Sequence, residues 1–597
     1  MYQAPVSDIA FTMKHIAGLD RAMSAGAFSG LTEDVVDAVL AEAGRFATDE
    51  LAALNRTGDR RPPRLAGDGV TTPPGWRETY RAWAEGGWNG IAAPEAFGGQ
   101  GLPLLLSAAT QEMWNGACMS FALCPMLTMG AIDALRAHGS EALQARYLPR
   151  LVSGEWTATM NLTEPQAGSD LGALTTRAEP RPDGTYRLFG QKIFITYGEH
   201  DLAENIVHLV LARLPDAPAG SRGISLFLVP KFLPDGNGGA GGRNDVFCAG
   251  LEHKLGIHGS PTCTMIYGDG RAGREPGAIG WLIGEENRGL ACMFTMMNNA
   301  RLMVGVQGVG QAELALQQAT AYAAERRQGR APGAQGAGMS IIAEHPDVRR
   351  MLMQMRALTA AARSICYACA FAADMAHLAA EDGADWRARA ELLTPVAKAF
   401  STDVAFETAS IGVQVHGGMG YIEETGAAQT LRDSRIAAIY EGTNGIQAID
   451  LATRKLPMAG GAHVERLVGE LREVADEARA ENRPDFGRMG ARLGASLDDL
   501  AAATEHILSS LENGRTAEAL AVAAPYLRLF GLAAGGAYLA RGALASTRTS
   551  DPQAALRVAT ARFFAEHLLP ETGALRTVVT EGAEAVLGCG NVAPAGG

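Results

Sequence analysis

The sequence predicts an α+β chain in four parts. These are a helical N-terminal domain (1–158), a β-domain of barrel or sandwich type (159–287), a helical bundle (288–456) and an extra helical domain (457–597). Three observations carry this. Apolar residues recur at helical spacing on both sides of a stretch, Met160 to about Glu285, where short β-branched runs alternate with Gly, Pro and Asp. Pro457 to Gly461 interrupts the second helical region like a linker. The 597 residues suit several domains, and 47% apolar but only 6% aromatic content, with 72 glycines, favours close packing of helices through small residues. A β-module between helical halves leaves a crevice where a cofactor can be clamped.

In the first region, Leu31 to Leu54 is periodic, with Thr32-Glu33-Asp34 as its start signal. Pro73-Pro74-Gly75-Trp76 opens a helix that ends near Gly86-Gly87, and Gly90 to Gly101 reads as a loop. Leu104 to Cys118 and Met126 to His138 read as two helices, and Leu143 to Leu151 as the last before the pattern changes. The strand candidates are Tyr186 to Tyr197, Asn205 to Leu211, Gly223 to Val229, Thr262 to Tyr267 and Ile279 to Ile283. Gly236 to Gly242 is too rich in glycine to pack and is expected as an exposed loop. Helices follow at Arg301 to Arg327, His345 to Glu381 and Trp386 to about Val415, then about four more from Val464 onward.

A net charge of −13 argues against a general nucleic-acid or anionic-membrane binder. From Lys455 onward the chain carries 14 basic and 17 acidic residues, without the basic excess of a nucleic-acid module. Membrane association is not favoured: the most membrane-like run, Leu520 to Ala545, is interrupted by Arg528 and Arg541 and reads as a buried helix or helix pair. The eight cysteines are scattered and Met1 to Pro5 carries no targeting pattern, so a cytoplasmic protein is expected. Cys366-x-x-Cys369 has no second Cys/His pair and lies in an alanine-rich helical pattern, so buried thiols are expected and no metal.

Two stretches hold chemistry. Tyr440-Glu441-Gly442-Thr443-Asn444-Gly445-Ile446-Gln447 follows the apolar run Ile436 to Ile439. A carboxylate on an apolar wall is desolvated, which raises its pKa toward the range where a general base works best. Gly442 and Gly445 let a flat ligand approach, and Thr443 and Asn444 can hydrogen-bond its edge; equally, Thr443 or Asn444 can simply cap a helix. In Leu162-Thr163-Glu164-Pro165-Gln166-Ala167-Gly168-Ser169-Asp170, Pro165 and Gly168 force a turn whose N–H groups can face a flavin edge or a phosphate; equally, it can be an ordinary polar turn.

Met160 to Asp170 resembles the flavin-binding signature of the acyl-CoA dehydrogenase family, and Gly190 to Thr196 is similar to the family's second flavin segment, with Phe194 where Trp is usual. Arg326-Arg327-Gln328 resembles the helix end that reaches the FAD pyrophosphate of a neighbouring subunit, and Gln414 to Gly420 the segment at the adenosine end. Tyr440 to Gln447 resembles the segment with the catalytic glutamate. Five segments in order, over residues from about 30 to 455, make the resemblance specific where one would be weak. The chain beyond Pro457, with His253 to Cys263 and Met296 to Arg301, looks like longer bacterial members acting on 3-methylmercaptopropionyl-CoA or long-chain fatty acyl-CoA.

The resemblance implies FAD-dependent α,β-dehydrogenation of an acyl-CoA, with electrons passed to electron-transferring flavoprotein and a homodimer as the assembly. It implies Glu441 as the base. It implies FAD contacts at Met160, Leu162, Thr163, Phe194, Thr196, Arg326, Gln328, Gln414, Gly417, Gly418, Thr443 and Asn444. Substrate contacts fall at Ser169, Asn298, Arg301 and Gly442. Some members place the glutamate just before the arginine matching Arg301; Ala300 there leaves Glu441. Asn298 stands where many members have an acidic CoA contact. Arg301 is either a salt-bridged helix residue or part of the acyl-CoA site, and His416 is read as a structural hydrogen-bond partner. Met293, Met296, Met297 and Met303 are core packing or an adaptable acyl wall. The alternatives are an acyl-CoA oxidase, or a non-enzymatic flavin-bearing relative recruited to nucleic acid or a membrane.

Overall fold

The computed structural model describes residues 1–235, 238–272, 275–335, 338–379, 382–481 and 483–590, and at Asn298 the backbone only. The helix Glu33–Phe46 opens where the start signal lies: the Thr32 hydroxyl accepts from the Val35 N–H. It then runs through a wide turn, Ala47–Leu51, to Arg60, past the expected end at Leu54. Next comes a hairpin in a region expected to be helical: Arg64–Ala66 pairs with Gly69–Thr71 across Gly67-Asp68. Gly67 has φ of 59°, the conformation a tight hairpin turn requires.

Leu104–His138 (α1) is one rod, kinked only at Cys118 (φ −156°, ψ 87°), rather than two helices. The residues expected to connect them, Met119 to Pro125, are buried helix, because the break occupies a single residue. Among the described residues α1 is the one helix long and apolar enough to cross a membrane, and most of it is buried in the core.

The middle of the chain forms an eight-stranded sheet. Its strands are β1 Trp156–Asn161, β2 Arg177–Pro180, β3 Tyr186–Thr196, β4 Asn205–Arg213, β5 Ile224–Pro230, β6 Val246–Leu251, β7 Thr262–Tyr267 and β8 Ala278–Ile283. The order is β6-β7-β3-β8-β5-β4-β1, and β2 pairs with β3 and β4. β1 runs parallel to β4 and every residue of β1 is buried. The five expected strands are present; β1, β2 and β6 are additional. β2 carries Arg177, Glu179 and Pro180, and β6 carries a bulge between Cys248 and Gly250, so neither alternates cleanly in sequence. The glycine-rich stretch also contributes: Phe232–Pro234 pairs with Ala240–Arg243, while Gly236 and Asn237 lie outside the described residues.

The core beside the sheet is built by α1 with Gly289–Glu325 (α2), Pro346–Leu378 (α3) and Gly383–His416 (α4). α2 starts earlier than Arg301, and the end expected for α3 at Glu381 falls outside the described residues. α2 and α4 touch backbone to backbone: a Cβ on Gly305 would lie 2.6 Å from the Ala397 carbonyl, and one on Gly308 2.5 Å from that of Ser401. Asn444–Asp450 (α5) docks on α4. After Ala459, Gly460 and Gly461, all left-handed, come seven α-helices among the described residues, in place of about four. The longest, Ala523–Arg548 (α6), is one buried helix lying on α3 and α4, with Gly531 against Phe400 and Gly535 against Ala361.

Candidate active site

Glu441 sits between a short turn, Arg435–Ala438, and α5. Its φ of 54° is left-handed, a strained conformation for a side-chain-bearing residue. Gly442 follows at φ 82°, a left-handed conformation that favours glycine, and a Cβ there would lie 2.7 Å from Gln447 Nε2. Thr443 caps α5, its hydroxyl accepting from the Ile446 N–H at 3.2 Å. The helix start is there as foreseen, and Glu441 lies outside it. Gln447 Nε2 donates to the carbonyls of Glu441 and Gly442, each at 3.3 Å, and fixes the turn. No acceptor among the described residues takes the Glu441 N–H.

The Glu441 carboxylate accepts no hydrogen bond from the described residues. Burial pushes it up to about pH 6, against the pull of Arg301 and Lys398. Arg301 is buried on α2, with Nη1 3.3 Å from Asp450 Oδ2 and a buried Nε that has no partner among the described residues. It is thus salt-bridged and also faces the glutamate turn, since a Cβ on Gly442 would lie 3.8 Å from its Nη2. The Asn298 side chain lies outside the described residues, and Ala300 lines a cavity between α1 and α2.

Lys398 is the residue sequence reading missed. It lies inside α4, and its Nζ donates to Asn444 Oδ1 at 2.9 Å. Burial lowers it to about 7, opposed by the charges of Glu441 and Asp403. Asn444 is thereby tied to α4, since its Nδ2 also donates to Asp403 at 2.7 Å and Thr402 at 3.0 Å. The available signal is a lone lysine within Val396-Ala397-Lys398-Ala399-Phe400; its partner is 46 residues away.

A second group gathers at the end of β1. Lys192, on β3, is wholly buried, and its Nζ reaches Glu164 Oε1 at 2.8 Å and the Leu162 carbonyl at 3.0 Å. The Ile193 N–H donates to the Thr163 carbonyl at 2.9 Å, and the Thr159 hydroxyl to that of Thr196 at 2.7 Å. Met160, Leu162, Thr163, Phe194 and Thr196 are therefore held together, with exposed Ser169 on the same loop. Phe194 has φ of 61° and leaves 58% of its surface open, an apolar ring presented outward.

A third group lies where α2 and α4 end. His416 Nδ1 pairs with the Gly412 carbonyl at 2.7 Å and its ring stacks on Tyr322 at 4.5 Å, as expected of a structural histidine. Arg326, Gln328, Gln414, Gly417 and Gly418 are all exposed here, and nothing lies within 4 Å of a Cβ built on either glycine. No described hydrogen bond or ion pair links this group to the other two. Cys366 and Cys369 are buried thiols, as expected.

Four family models cover most of the chain: the acyl-CoA dehydrogenase N-terminal domain at residues 35–155, the middle domain at 159–269 and the C-terminal domain at 287–456, then the "acetyl-CoA dehydrogenase C-terminal like" domain at 467–589. The chain is 44% identical to the 3-methylmercaptopropionyl-CoA dehydrogenase of Ruegeria pomeroyi, over 98% of this chain and 99% of that one. It is 35% identical to a butyryl-CoA dehydrogenase of Syntrophomonas wolfei, over 86% and 84%. The solved structure of Caenorhabditis elegans ACDH-11 in complex with C11-CoA shares the fold, with a TM-score of 0.76 at 22% identity over 97% and 96% of the chains.

Proposed function

Since this chain belongs to the acyl-CoA dehydrogenase family, we propose that it oxidises a short acyl-CoA to the trans-2-enoyl-CoA, with Glu441 taking the α-proton. The observation that carries this is the Glu441 carboxylate itself: desolvated, bound by no donor among the described residues and drawn to about pH 6, it is poised to accept a proton at neutral pH.

The family is FAD-dependent, and the residues here fit that group. An outward apolar Phe194 ring and the open Gly417-Gly418 surface are available to it, and beside the glutamate turn Gln447 Oε1 and Gln307 Nε2 are buried with no hydrogen-bond partner among the described residues. We assign Met160, Leu162, Thr163, Phe194, Thr196, Thr443 and Asn444 to the flavin end, and Arg326, Gln328, Gln414, Gly417 and Gly418 to the dinucleotide end. When bound, FAD supplies the two-electron acceptor for the β-hydride. The chain does the rest. The free Glu441 N–H can donate to the thioester carbonyl, and that hydrogen bond strengthens as the oxygen gains charge on loss of the α-proton. Gln447 holds that peptide in place. Arg301 and Lys398 keep Glu441 from rising further, so that it remains ionised at neutral pH. Ser169, Asn298, Arg301 and Gly442 are assigned to the substrate.

We take the cavity between α1 and α2, which reaches Ala300 next to Arg301, as the acyl site, and read the chain as short because that cavity is small, about 40 Å³, with Met126, Met129, Met296 and Met303 in its wall. Half-buried Asp133 at the same wall, its pKa raised by desolvation, disfavours a terminal carboxylate. The relative named for 3-methylmercaptopropionyl-CoA supports the same size. Electrons are proposed to leave to electron-transferring flavoprotein, in the cytoplasm. The exposed Arg326 group, near exposed Met419, Ile422 and 85%-exposed Tyr421 in the segment after α4, supports a homodimer in which each chain completes its neighbour's FAD site.

The test is anaerobic flavin bleaching in stopped flow across acyl-CoA esters of increasing length. Bleaching is expected with short esters, without peroxide on turnover in air. Glu441→Gln should bind FAD and ester yet bleach roughly 10² to 10⁴ times more slowly. Bleaching within about threefold of wild type would remove Glu441 from the base role.

A further inference from the structure

The cavity wall is not uniformly apolar. Gln111, on α1, is buried and lines it, and its Nε2 donates to the thioether sulfur of Met129 at 3.1 Å. The amide is held in this orientation: Asn115 Nδ2 donates to Gln111 Oε1 at 3.2 Å and to the Gln111 carbonyl at 2.8 Å. Asn115 is in turn fixed to α2, its carbonyl accepting from Gln311 Nε2 at 2.8 Å. Flipping the Gln111 amide would set two N–H donors against each other. The other polar pair at the wall satisfies itself, Asn299 Nδ2 donating to Asp133 Oδ2 at 2.7 Å.

Resting on the short acyl-CoA reading above, the structure assigns Gln111 as the residue that selects a chain carrying a thioether sulfur over its all-carbon isostere. The donor faces the cavity and already has a thioether as its acceptor. Methionine is unbranched and turns about several bonds, so Met129 can move aside and pass the N–H to a sulfur arriving on the substrate. An all-carbon chain that displaces Met129 in the same way supplies no acceptor, and the buried N–H left without a partner disfavours that complex. Discrimination arises from the unpaired donor rather than from size, since the two chains fill nearly the same space.

The experiment compares kcat/KM for 3-methylmercaptopropionyl-CoA and pentanoyl-CoA, which differ by sulfur for methylene. Wild type is expected to favour the thioether by about tenfold, a modest figure because a thioether is a weak acceptor. In Gln111→Leu, with bound FAD reporting the fold, the ratio should fall to within about twofold of one. Met129→Leu removes the competing acceptor and should keep or raise the preference. A wild-type ratio near one, a Gln111→Leu ratio unchanged from wild type, or loss of the preference in Met129→Leu alone would each overturn the assignment. Wild-type flavin bleached by neither ester would instead overturn the reading on which it rests.

Discussion

Two glutamates, buried Glu164 and half-buried Glu441, show how one residue type takes opposite roles. Glu164 is surrounded by donors: Thr175 and Thr176 each give an N–H and a hydroxyl at 2.6 to 3.0 Å, Gln166 gives Nε2 at 2.7 Å and Lys192 its ammonium at 2.8 Å. Burial works against its charge, yet Lys192 and these hydrogen bonds outweigh it and hold the carboxyl down to about 2. Glu441 has two cations in range and no hydrogen bond among the described residues, and desolvation wins, drawing it up to about 6. Fixed donors make a carboxylate inert and structural, and their absence leaves a proton site.

Exchanging each for glutamine should separate the roles most widely. Glu164→Gln leaves the Lys192 ammonium buried without its counter-charge, and a loss of about 3–5 kcal/mol is expected in urea unfolding, with FAD released as the Thr163 loop loosens. Glu441→Gln should lose rate as described, with stability at pH 7 unchanged or raised by about 1 kcal/mol. The signs follow from the shifts. The folded pKa of Glu164 is depressed, so its contribution is present above the unfolded value near 4.5 and disappears as pH falls toward 2. That of Glu441 is raised, so its ionisation costs stability as pH rises through about 6. Comparable stability losses in both variants would erase the distinction.

Lys398→Met sharpens the comparison from the cation side. A positive charge favours the carboxylate, so removing it should raise the Glu441 pKa. The acid limb of kcat/KM is expected to move up by roughly half to one pH unit. An unmoved limb would leave Lys398 the sole task of holding Asn444.

Much of this was legible in sequence, where function depends on neighbours along the chain. The Glu441-Gly442-Thr443 turn and the Thr163-to-Asp170 loop are local, and so are the cap at Thr32 and the punctuation at Pro457. What escaped depends on contacts made at long range. Lys192 belongs to the quoted strand segment, but nothing nearby reveals that Glu164 lies against it. Lys398 belongs to no motif, and its charge is placed by the packing of α5 on α4. β2 and β6 lack clean alternation because one ends in a charged, proline-bearing edge and the other bulges. The Arg64–Thr71 hairpin did have a signal, Gly67-Asp68 between Leu65 and Val70, within a region whose helical periodicity dominated. Gln111, polar inside an apolar helix, becomes informative only once Asn115 and Met129 are seen around it.

The smallest expected effect concerns the capping residue beside the base. Thr443→Ala removes the hydroxyl that accepts from Ile446 and should cost about 1 kcal/mol in thermal unfolding. If Thr443 also touches the flavin, FAD affinity falls in the same variant; stability loss alone would confine it to the cap.

The central claim is that Glu441 is a base tuned by desolvation rather than by hydrogen bonding. The pH dependence of kcat/KM, with a short acyl-CoA and an artificial electron acceptor, tests it most directly, because its acid limb reports the free enzyme. The account predicts a rate that rises about tenfold per unit at low pH and levels off with an apparent pKa near 6. A limb near the ordinary glutamate value of about 4.3, or a profile flat down to pH 5, would contradict it.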